Sequence, residues 1–289
     1  MPNLCRMPLI LIPTPIGNLR DITLRALDTL AACDSIVAED TRVAARLLAA
    51  YGIRGKPVHG YREQNAVEVT RAILERARDH SVAVLSDAGM PGISDPGREL
   101  VASARAAGIG VEVLPGATAF VCAAVLSGFA LERFSFEGFL PRARGERERA
   151  LRSALLRGTT TVWYDAPHRI LASLAALDEL APAANVFVAR ELTKLHEQQI
   201  LGTPSSIAAA LTSPVRGEIV LVLASNPRAE PAATEEQLDA AIDAALAAGS
   251  PPSAIAKVLS GDSAHPRQEL YARVIERKLA REGSSEDSV

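Results

Sequence analysis

Short apolar runs alternate with stretches of helical periodicity along the first 127 residues. The runs predict buried strands at Leu9–Ile12, Ser35–Ala38, Val82–Leu85 and Val111–Leu114, and a weaker strand at Pro57–Gly60. Between the strands, apolar residues recur at helical spacing over 23–33, Thr41–Tyr51, 66–79, 97–107 and Ala117–Leu126. Strands that alternate with helices of roughly ten to fifteen residues indicate a mostly parallel sheet.

The alternation breaks and then restarts in the second half. Arg133–Leu140 is aromatic and strand-like, and Pro141–Arg157 holds six arginines against two glutamates. Further strands are then predicted at Thr160–Tyr164, Asn185–Ala189 and Glu218–Ala224, and helices at Pro167–Leu180 and Pro204–Leu211. We therefore predict a second α/β domain that begins near 128–133.

The last part of the chain predicts a small helical module. Residues 226–234 are rich in proline and alanine and predict a linker, followed by helices near 235–247, 252–259 and 266–281. These helices either resemble a helix-turn-helix module or form an appendage that only packs, and 283–289 is expected to be a disordered tail. The predicted domains are 1–130, 131–226 and 227–282.

Composition narrows the class of protein. The 289 residues are 48 % hydrophobic and 22 % charged, which suits a folded protein with sizeable cores. The net charge of −3 argues against a generally basic nucleic-acid binder, so any RNA contact must come from a local patch. Three cysteines form neither a CxxC pair nor a metal-ligand spacing, and no signal peptide or membrane-length apolar run is apparent. We expect a soluble cytoplasmic protein without a metal.

The stretch from Ser86 to Gly97 carries the strongest functional signal. It places three glycines, two prolines and two aspartates directly after an apolar strand. Glycines let the backbone approach a ligand, and loops at the carboxyl ends of strands bind ligands in open α/β sheets. Asp87 and Asp95 argue against a phosphate and suit a ligand with hydroxyl or cationic groups. The alternative is a structural turn between strand and helix.

Three further segments in the first half follow strands. Pro13–Leu19 takes the place of a dinucleotide-binding glycine loop, but its prolines leave few backbone N–H groups for a pyrophosphate, which argues against NAD. Glu39, Asp40 and Arg42 end the second strand and are either ligand-binding groups or parts of a helix cap. A third segment, Leu114–Thr118, offers small residues before a helix, where a flat group or a carboxylate can approach.

The second half repeats this arrangement at Tyr164–Arg169, Ala189–Glu197 and Arg216–Glu218. Polar segments at strand ends in both halves predict a cleft between two α/β domains. Neither a phosphate-binding P-loop nor a nucleophile elbow is present, which disfavours kinases and hydrolases.

Taken in order, these segments resemble the tetrapyrrole (corrin/porphyrin) methylase superfamily. The resemblance lies in PTPIGNLRDIT, AEDTR, SDAGMPGISDPG, LPGATA, FEGFLP, YDAPHR, RELTKLHE and GEIVLVL, and within the superfamily it is to the ribosomal RNA small-subunit methyltransferase I group. The resemblance implies two α/β domains, a homodimer, and S-adenosylmethionine folded into the interdomain cleft. It also implies methylation of the ribose 2′-oxygen of a cytidine in the decoding region of 16S rRNA.

The resemblance carries the cofactor site onto residues of this chain. In the first half these are Pro15, Asp87, Gly89, Met90, Gly92, Ile93, Ser94, Gly116, Ala117 and Thr118. In the second half they are Tyr164, Ala166, Leu192 and Thr193. One departure is Asp165, which stands where a glutamate is expected, so its carboxylate reaches one methylene less far.

Methyl transfer to a ribose hydroxyl requires the 2′-oxygen, the methyl group and the sulfur to lie in line. Because a ribose hydroxyl is a poor acid, a base that takes its proton or a cation that stabilises the alkoxide should speed the reaction. Glu191 and Lys194 are the first candidates, followed by Glu39 or Asp40 as a base and Arg42 or Arg169 as a cation. Phosphate contacts are expected from Arg20, Arg42, Arg142, Arg144 and Arg169, although the arginine-rich stretch is equally explained as a solvated helix. A nearly neutral chain should prefer assembled subunits to naked RNA, because many weak contacts then add.

Two alternatives remain open. One is a methyltransferase of the same fold that acts on a tetrapyrrole or another small acceptor. The other is a non-catalytic ribosome-binding factor, against which the intact loop at Asp87–Gly97 argues.

Overall fold

The apolar runs of the first part of the chain form a parallel sheet. The computed structural model describes residues 8–61, 66–95, 97–225, 235–262 and 266–286. Its first sheet has the order β3-β2-β4-β1-β5, and each of these neighbouring strands pairs with the next in parallel. The strands are β1 (Leu9–Ile12), β2 (Ser35–Ala38), β3 (Val58–Gly60), β4 (Val82–Leu85) and β5 (Val111–Val113). The predicted parallel α/β arrangement is confirmed.

Helices cover both faces of this sheet. Residues of α1 (Leu24–Ala32) and α2 (Thr41–Ala50) join the apolar cluster on one face, and residues of α3 (Ala66–Arg76) and α4 (Gly97–Ala106) join the cluster on the other. Helix α5 (Ala119–Ser127) follows β5 along the chain. Alternation along β1 sends Leu9 and Leu11 into one apolar cluster and Ile10 and Ile12 into another. A strand buried on both faces reads as a continuous apolar run, and this explains why the strands could be predicted as such.

The second sheet has the order β6-β7-β10-β8-β9. Its strands are β6 (Phe134–Phe139), β7 (Thr160–Asp165), β8 (Val186–Arg190), β9 (Gln198–Gly202) and β10 (Ile219–Leu223). The accompanying helices are α6 (Arg144–Arg157), α7 (Ile170–Leu180) and α8 (Pro204–Ala210). Strand β9 was not predicted, because its residues alternate between half-buried and exposed and form no apolar run.

Residue contacts divide the chain into two compact units. One contains the chain up to Ala123 together with Ala189–Gln199 and Gly217–Val220, and the other contains the remainder. The segments that follow β8 and precede β10 therefore belong with the first sheet's unit. The predicted domain limits and the predicted interdomain cleft stay predictions.

The three helices predicted near the end of the chain share one apolar core. They are α9 (Glu235–Ala247), α10 (Pro252–Asp262) and α11 (Arg267–Glu286), and their core holds Leu238, Ile242, Ile255, Ala256, Leu270 and Val274. Arg273 and Arg277 of α11 both pair with Asp239 of α9, at 2.6 and 2.8 Å. The predicted linker at 226–234 and the end of the predicted tail, 287–289, lie outside the described residues. Within those residues, no helix is both long and apolar enough to cross a membrane.

Candidate functional site

The loops that follow β1 and β4 are joined through their backbones. The amides of Thr14 and Gly89 each donate to the other residue's carbonyl at 3.0 Å. Beneath this bridge, the Thr14 hydroxyl donates to the Ser86 carbonyl at 3.2 Å and the Ser86 hydroxyl donates to the Gly89 carbonyl at 2.9 Å. Thr14 and Ser86 are both buried. The carboxyl ends of the two strands therefore form one connected surface.

Glycines let these loops and the loop after β5 pack closely. Gly89 has φ +79°, a left-handed conformation that favours glycine, and a Cβ there would lie 3.3 Å from Ile16 Cγ2. A Cβ on Gly116 would lie 2.6 Å from Pro13 Cβ. The ideal Cβ of Gly89 would also lie 3.5 Å from the Ala117 carbonyl oxygen. Residues that the sequence assigned to one cofactor site are thus brought together, and we name the three loops at 13–17, 86–92 and 115–118 the glycine floor.

The two aspartates of the long loop differ in what they do. Asp95 accepts hydrogen bonds from the backbone amides of Gly92 and Gly97, at 2.9 and 2.7 Å, so it holds the turn in shape. Asp87 accepts from the backbone amide of Asp40 at 2.9 Å and stays exposed. Asp95 therefore has the purely structural role of stabilising a turn. Asp87 instead lies on the surface of the glycine floor and links it to the end of β2.

Other predicted cofactor residues, of this loop and of the two beside it, also reach the surface. Ile93 is 42 % exposed, an unusual fraction for a large apolar side chain beside a buried strand. Ser94 is exposed, and Met90, Gly92, Pro15 and Thr118 are half-buried. An apolar side chain, Ile93, and a hydroxyl, Ser94, thus lie exposed directly after the glycine floor.

A second segment, Leu192–Lys194, packs against the first-strand loop. The backbone amide of Asn18 donates to Thr193 Oγ1 at 3.0 Å. A Cβ on Gly17 would lie 2.5 Å from Lys194 Cγ and 2.8 Å from the Leu192 carbonyl oxygen. The structure therefore brings the predicted residues Leu192 and Thr193 to the edge of the glycine floor, although about 175 positions separate them from Asn18 along the chain.

Backbone strain is concentrated in the same segment. Glu191 and Thr193 have φ values of +54° and +65°, and they are the non-glycine residues with positive φ in the described chain. A β-branched residue such as threonine rarely adopts this conformation. The surroundings hold it there: the Thr193 amide donates to Glu197 Oε2 at 2.6 Å and its hydroxyl accepts from Asn18. Strain of this kind clusters at functional sites.

Glu191, Lys194 and Glu218 form a charged cluster beside this strained turn. Lys194 Nζ lies 2.8 Å from Glu191 Oε1 and 3.1 Å from Glu218 Oε2. Glu191 Oε1 also accepts from the Glu218 backbone amide at 3.0 Å. The sequence marked Arg216–Glu218 as a segment of interest but assigned Glu218 no role. Only the fold brings it to Lys194, 24 residues away.

Hydrogen bonding sets the charges of this cluster. The hydrogen bond from Lys194 lowers the pKa of Glu191, against the opposing effect of burial. Burial alone would lower the pKa of Lys194, but its hydrogen bonds to Glu191 and Glu218 outweigh burial and raise that pKa. At neutral pH the cluster therefore holds an ammonium ion between carboxylates, and Glu191 is a weaker base than an ordinary glutamate.

At the end of β2, Asp40 acts as the helix cap that the sequence offered as one of two roles. Its carboxylate accepts from the Arg42 backbone amide at 2.8 Å and caps α2. The same carboxylate pairs with the Arg42 guanidinium at 2.6 Å, while that side chain stays 81 % exposed. Glu39 is half-buried beside it. Within the described ranges, no three His, Cys, Asp or Glu side chains gather as a metal ion would require.

In the other unit, Asp165 organises the loop that follows β7. Its side chain is 1 % exposed, and it accepts from the Ala166 amide at 2.8 Å and from the Ser173 hydroxyl at 2.6 Å. Arg169 lies 3.1 Å from it and also donates to the Leu140 carbonyl at 3.2 Å. Although the aspartate is one methylene shorter than the expected glutamate, its carboxylate thus reaches the Ala166 amide, the Ser173 hydroxyl and the Arg169 guanidinium. Because the Arg169 side chain is only 14 % exposed and already paired, this geometry disfavours its expected phosphate contact.

The remaining arginines expected to contact RNA differ in their pairing. Arg144 forms ion pairs with Glu148 at 2.6 Å and with Glu179 at 3.3 Å. The side chains of Arg20 and Arg142 are exposed and form no ion pair within the described part of the chain. An unpaired arginine is the better phosphate ligand, since no existing pair has to break.

The sequence of this chain is similar to a known protein family over most of its length. Residues 8–208 match the family model of tetrapyrrole (corrin/porphyrin) methylases. The ribosomal RNA small subunit methyltransferase I of Synechocystis sp. is 41 % identical over 93 % of this chain and 97 % of its own length. The protein of the same name from Helicobacter pylori (strain 26695) is 38 % identical over 92 % of this chain and 98 % of its own.

Two further comparisons bear on the fold and on how much of the chain a relative shares. A crystal structure of diphthine synthase matches with a TM-score of 0.60 at 16 % identity, covering 75 % of this chain and 89 % of that one, which shows a shared fold alone. The ribosomal RNA small subunit methyltransferase I of Thermotoga maritima is 43 % identical over 97 % of its own length but only 74 % of this chain. About a quarter of this chain therefore has no counterpart in that relative.

Proposed function

Because the chain belongs to the tetrapyrrole methylase family, and within it to the ribosomal RNA small subunit methyltransferase I group, we propose that it methylates RNA of the small ribosomal subunit. The proposed methyl donor is S-adenosylmethionine. The proposed acceptor is the ribose 2′-oxygen of a cytidine in the decoding region of 16S rRNA, within the assembled subunit. We further propose that the enzyme acts as a homodimer.

The glycine floor is the observation that carries the proposal. Gly89 and Gly116 let the loops after β1, β4 and β5 pack against one another at the carboxyl ends of these strands, where α/β sheets bind ligands. The exposed carboxylate of Asp87 suits the hydroxyl and ammonium groups of S-adenosylmethionine, and exposed Ile93 suits an apolar or flat part of it. When bound, the cofactor supplies an electrophilic methyl group on a sulfonium.

Lys194 is the residue to which we assign stabilisation of the acceptor oxygen. A ribose hydroxyl is a poor acid, so a fixed positive charge near the oxygen lowers the free energy of a developing alkoxide. Lys194 is held by Glu191 and Glu218, and its raised pKa keeps it charged at the pH of the cell. Fixing the ammonium before substrate arrives avoids reorganisation during the reaction.

Glu191 then acts as a positioning residue rather than as a base. Its lowered pKa reduces its affinity for a proton, whereas a general base works best with a pKa near the operating pH. Glu39, at the end of β2, stays a candidate for proton acceptance, and exposed Arg42 stays a candidate for contact with a phosphate.

The proposed activity is tested by methyl transfer from labelled S-adenosylmethionine. The acceptors are assembled small ribosomal subunits that lack native methylation, with naked 16S rRNA alongside. Nuclease digestion and mass spectrometry then locate the label. We expect it on one ribose 2′-oxygen of the subunit and little on naked RNA. Label on a base, or cofactor binding without transfer to subunits, would show that the proposed acceptor is wrong.

A matched pair of lysine variants tests the role of Lys194. Lys194→Met keeps the aliphatic chain and removes the charge, so we expect kcat to fall by about 100-fold, as for loss of one oxyanion-stabilising group. Lys257→Met removes an exposed lysine of α10 and serves as the control. Equal rates for the two variants would contradict the assignment.

A further inference from the structure

Phe139 exposes its ring at the carboxyl end of β6. Phe139 is 56 % exposed, whereas the following residue, Leu140, is 1 % exposed. The ring packs against Tyr164 with a centroid distance of 5.4 Å and a tilted geometry. Phe136 holds the same tyrosine in an edge-to-face contact at 5.0 Å. The Phe139 ring is thus backed by Tyr164, which Phe136 contacts in turn, while much of the Phe139 surface faces solvent.

A β-bulge is what aims this ring. In the parallel pairing of β6 with β7, Phe136 is opposite Val162 and Phe139 is opposite Tyr164, so β6 uses one more residue than β7 between these pairs. Gly138 lies in the bulge with φ +69°, a conformation that suits glycine. Without the extra residue, Gly138 would be opposite Tyr164, and Phe139 would lie on the other face of the sheet.

Two features near Phe139 in the sequence bear on what it could contact. Its neighbour in sequence, Leu140, is buried, and a single exposed apolar side chain does not make a protein-docking patch. Arg142 follows three residues later, exposed and without an ion pair in the described chain. An aromatic face combined with an unpaired arginine is the combination that binds single-stranded nucleic acid, through stacking on a base and contact with a phosphate.

We propose that Phe139 is an acceptor-binding residue on which a nucleobase of the RNA stacks, with Arg142 contacting a neighbouring phosphate. The inference rests on the proposed function and deepens it, since it names how the RNA is recognised. The bulge at Gly138 is the feature that presents the ring. Tyr164, expected beside the cofactor, supports the ring from behind.

Three variants separate stacking from apolar packing. Phe139→Leu keeps an apolar side chain without a π-face, Phe139→Trp keeps the face, and Phe134→Leu removes the 43 % exposed phenylalanine at the other end of β6. The measurement is steady-state methyl transfer to unmethylated small subunits. We expect Phe139→Leu to raise the KM for subunits by about 10-fold, as for loss of one stacked base, with the KM for S-adenosylmethionine unchanged. Phe139→Trp and Phe134→Leu should stay within about twofold of wild type.

The outcomes separate this inference from the proposed function. A wild-type enzyme without activity on subunits would sink the proposed function itself. An active wild type with an unchanged subunit KM in Phe139→Leu would overturn the stacking contact alone. A raised KM for S-adenosylmethionine would instead make Phe139 a support for the cofactor site. A change of sedimentation coefficient in Phe139→Leu would make it a contact between subunits, and either result overturns the inference.

Discussion

Replacing Gly17 with alanine tests whether the first-strand loop fixes the position of Lys194. An ideal Cβ on Gly17 would lie 2.5 Å from Lys194 Cγ, 2.6 Å from Thr193 Oγ1 and 2.8 Å from the Leu192 carbonyl oxygen. Gly17 is not among the glycines with positive φ, so its backbone accepts alanine without strain. Steric overlap is therefore the main effect of the substitution.

The three contacts differ in how easily they give way. The Lys194 chain is flexible, but Leu192 contributes a backbone atom and Thr193 is held by Asn18 in a left-handed conformation. Overpacking of this kind costs about 1–3 kcal/mol. A displacement of about 1 Å at a catalytic group costs about 100-fold in rate. We expect kcat to fall between about 10-fold and 100-fold, with a loss of only a few degrees in Tm.

Gly145 supplies the matched control for this measurement. It lies in the first turn of α6, and nothing is within 4 Å of its ideal Cβ, so Gly145→Ala introduces the same methyl group without a clash. Both variants are assayed on small ribosomal subunits under saturating S-adenosylmethionine, and thermal unfolding is recorded for each. If Gly17→Ala turned over within twofold of Gly145→Ala, the argument that this loop positions Lys194 would be refuted.

Three other predictions follow from contacts in the structure. Asp165→Asn leaves the 14 % exposed Arg169 side chain without its counter-ion and should lower the free energy of unfolding by about 3–5 kcal/mol. Urea titration measures this loss, and an unchanged midpoint of unfolding would contradict the prediction. The pKa of Glu191 is lowered on folding, so its contribution to stability is full above its unfolded pKa and is lost as the pH falls through its folded pKa. The Tm difference between wild type and Glu191→Gln should therefore shrink below about pH 4. A Tm difference that stays constant with pH would argue against this. Gly217→Ala would put a Cβ 2.4 Å from Glu191 Cδ, whereas Gly249→Ala shares the left-handed strain without any contact, so only the first should lower kcat.

The strands that are buried on both faces of the sheet could be predicted from the sequence. Strands β1, β2 and β4 are buried at every position, so each appears in the sequence as an apolar run whose limits match the structure. Strand β9 has one half-buried and one exposed face and gave no such run. The helix predicted from Pro167 begins only at Ile170, after a turn at 167–169 that the ion pair between Asp165 and Arg169 spans.

The site was predictable in its residue types and less so in their roles. A carboxylate after a strand either caps local backbone or faces a ligand, and composition does not separate the two. The structure assigns Asp95 and Asp40 to local backbone amides and leaves Asp87 exposed. Glu218 escaped assignment because its contact with Lys194 depends on the pairing of distant segments.

The charged cluster also changes what can act as the base. From sequence alone, Glu191 beside Lys194 suggests a carboxylate that accepts a proton and a cation that steadies the product. Their hydrogen bond makes these roles conflict, because the contact that holds Lys194 in place also lowers the pKa of Glu191. A proton taken by Glu191 would break the ion pair just when the cation is needed. Since the sulfonium donor is already strongly electrophilic, a fixed cation can suffice for the forward step, with the proton leaving to Glu39 or to water.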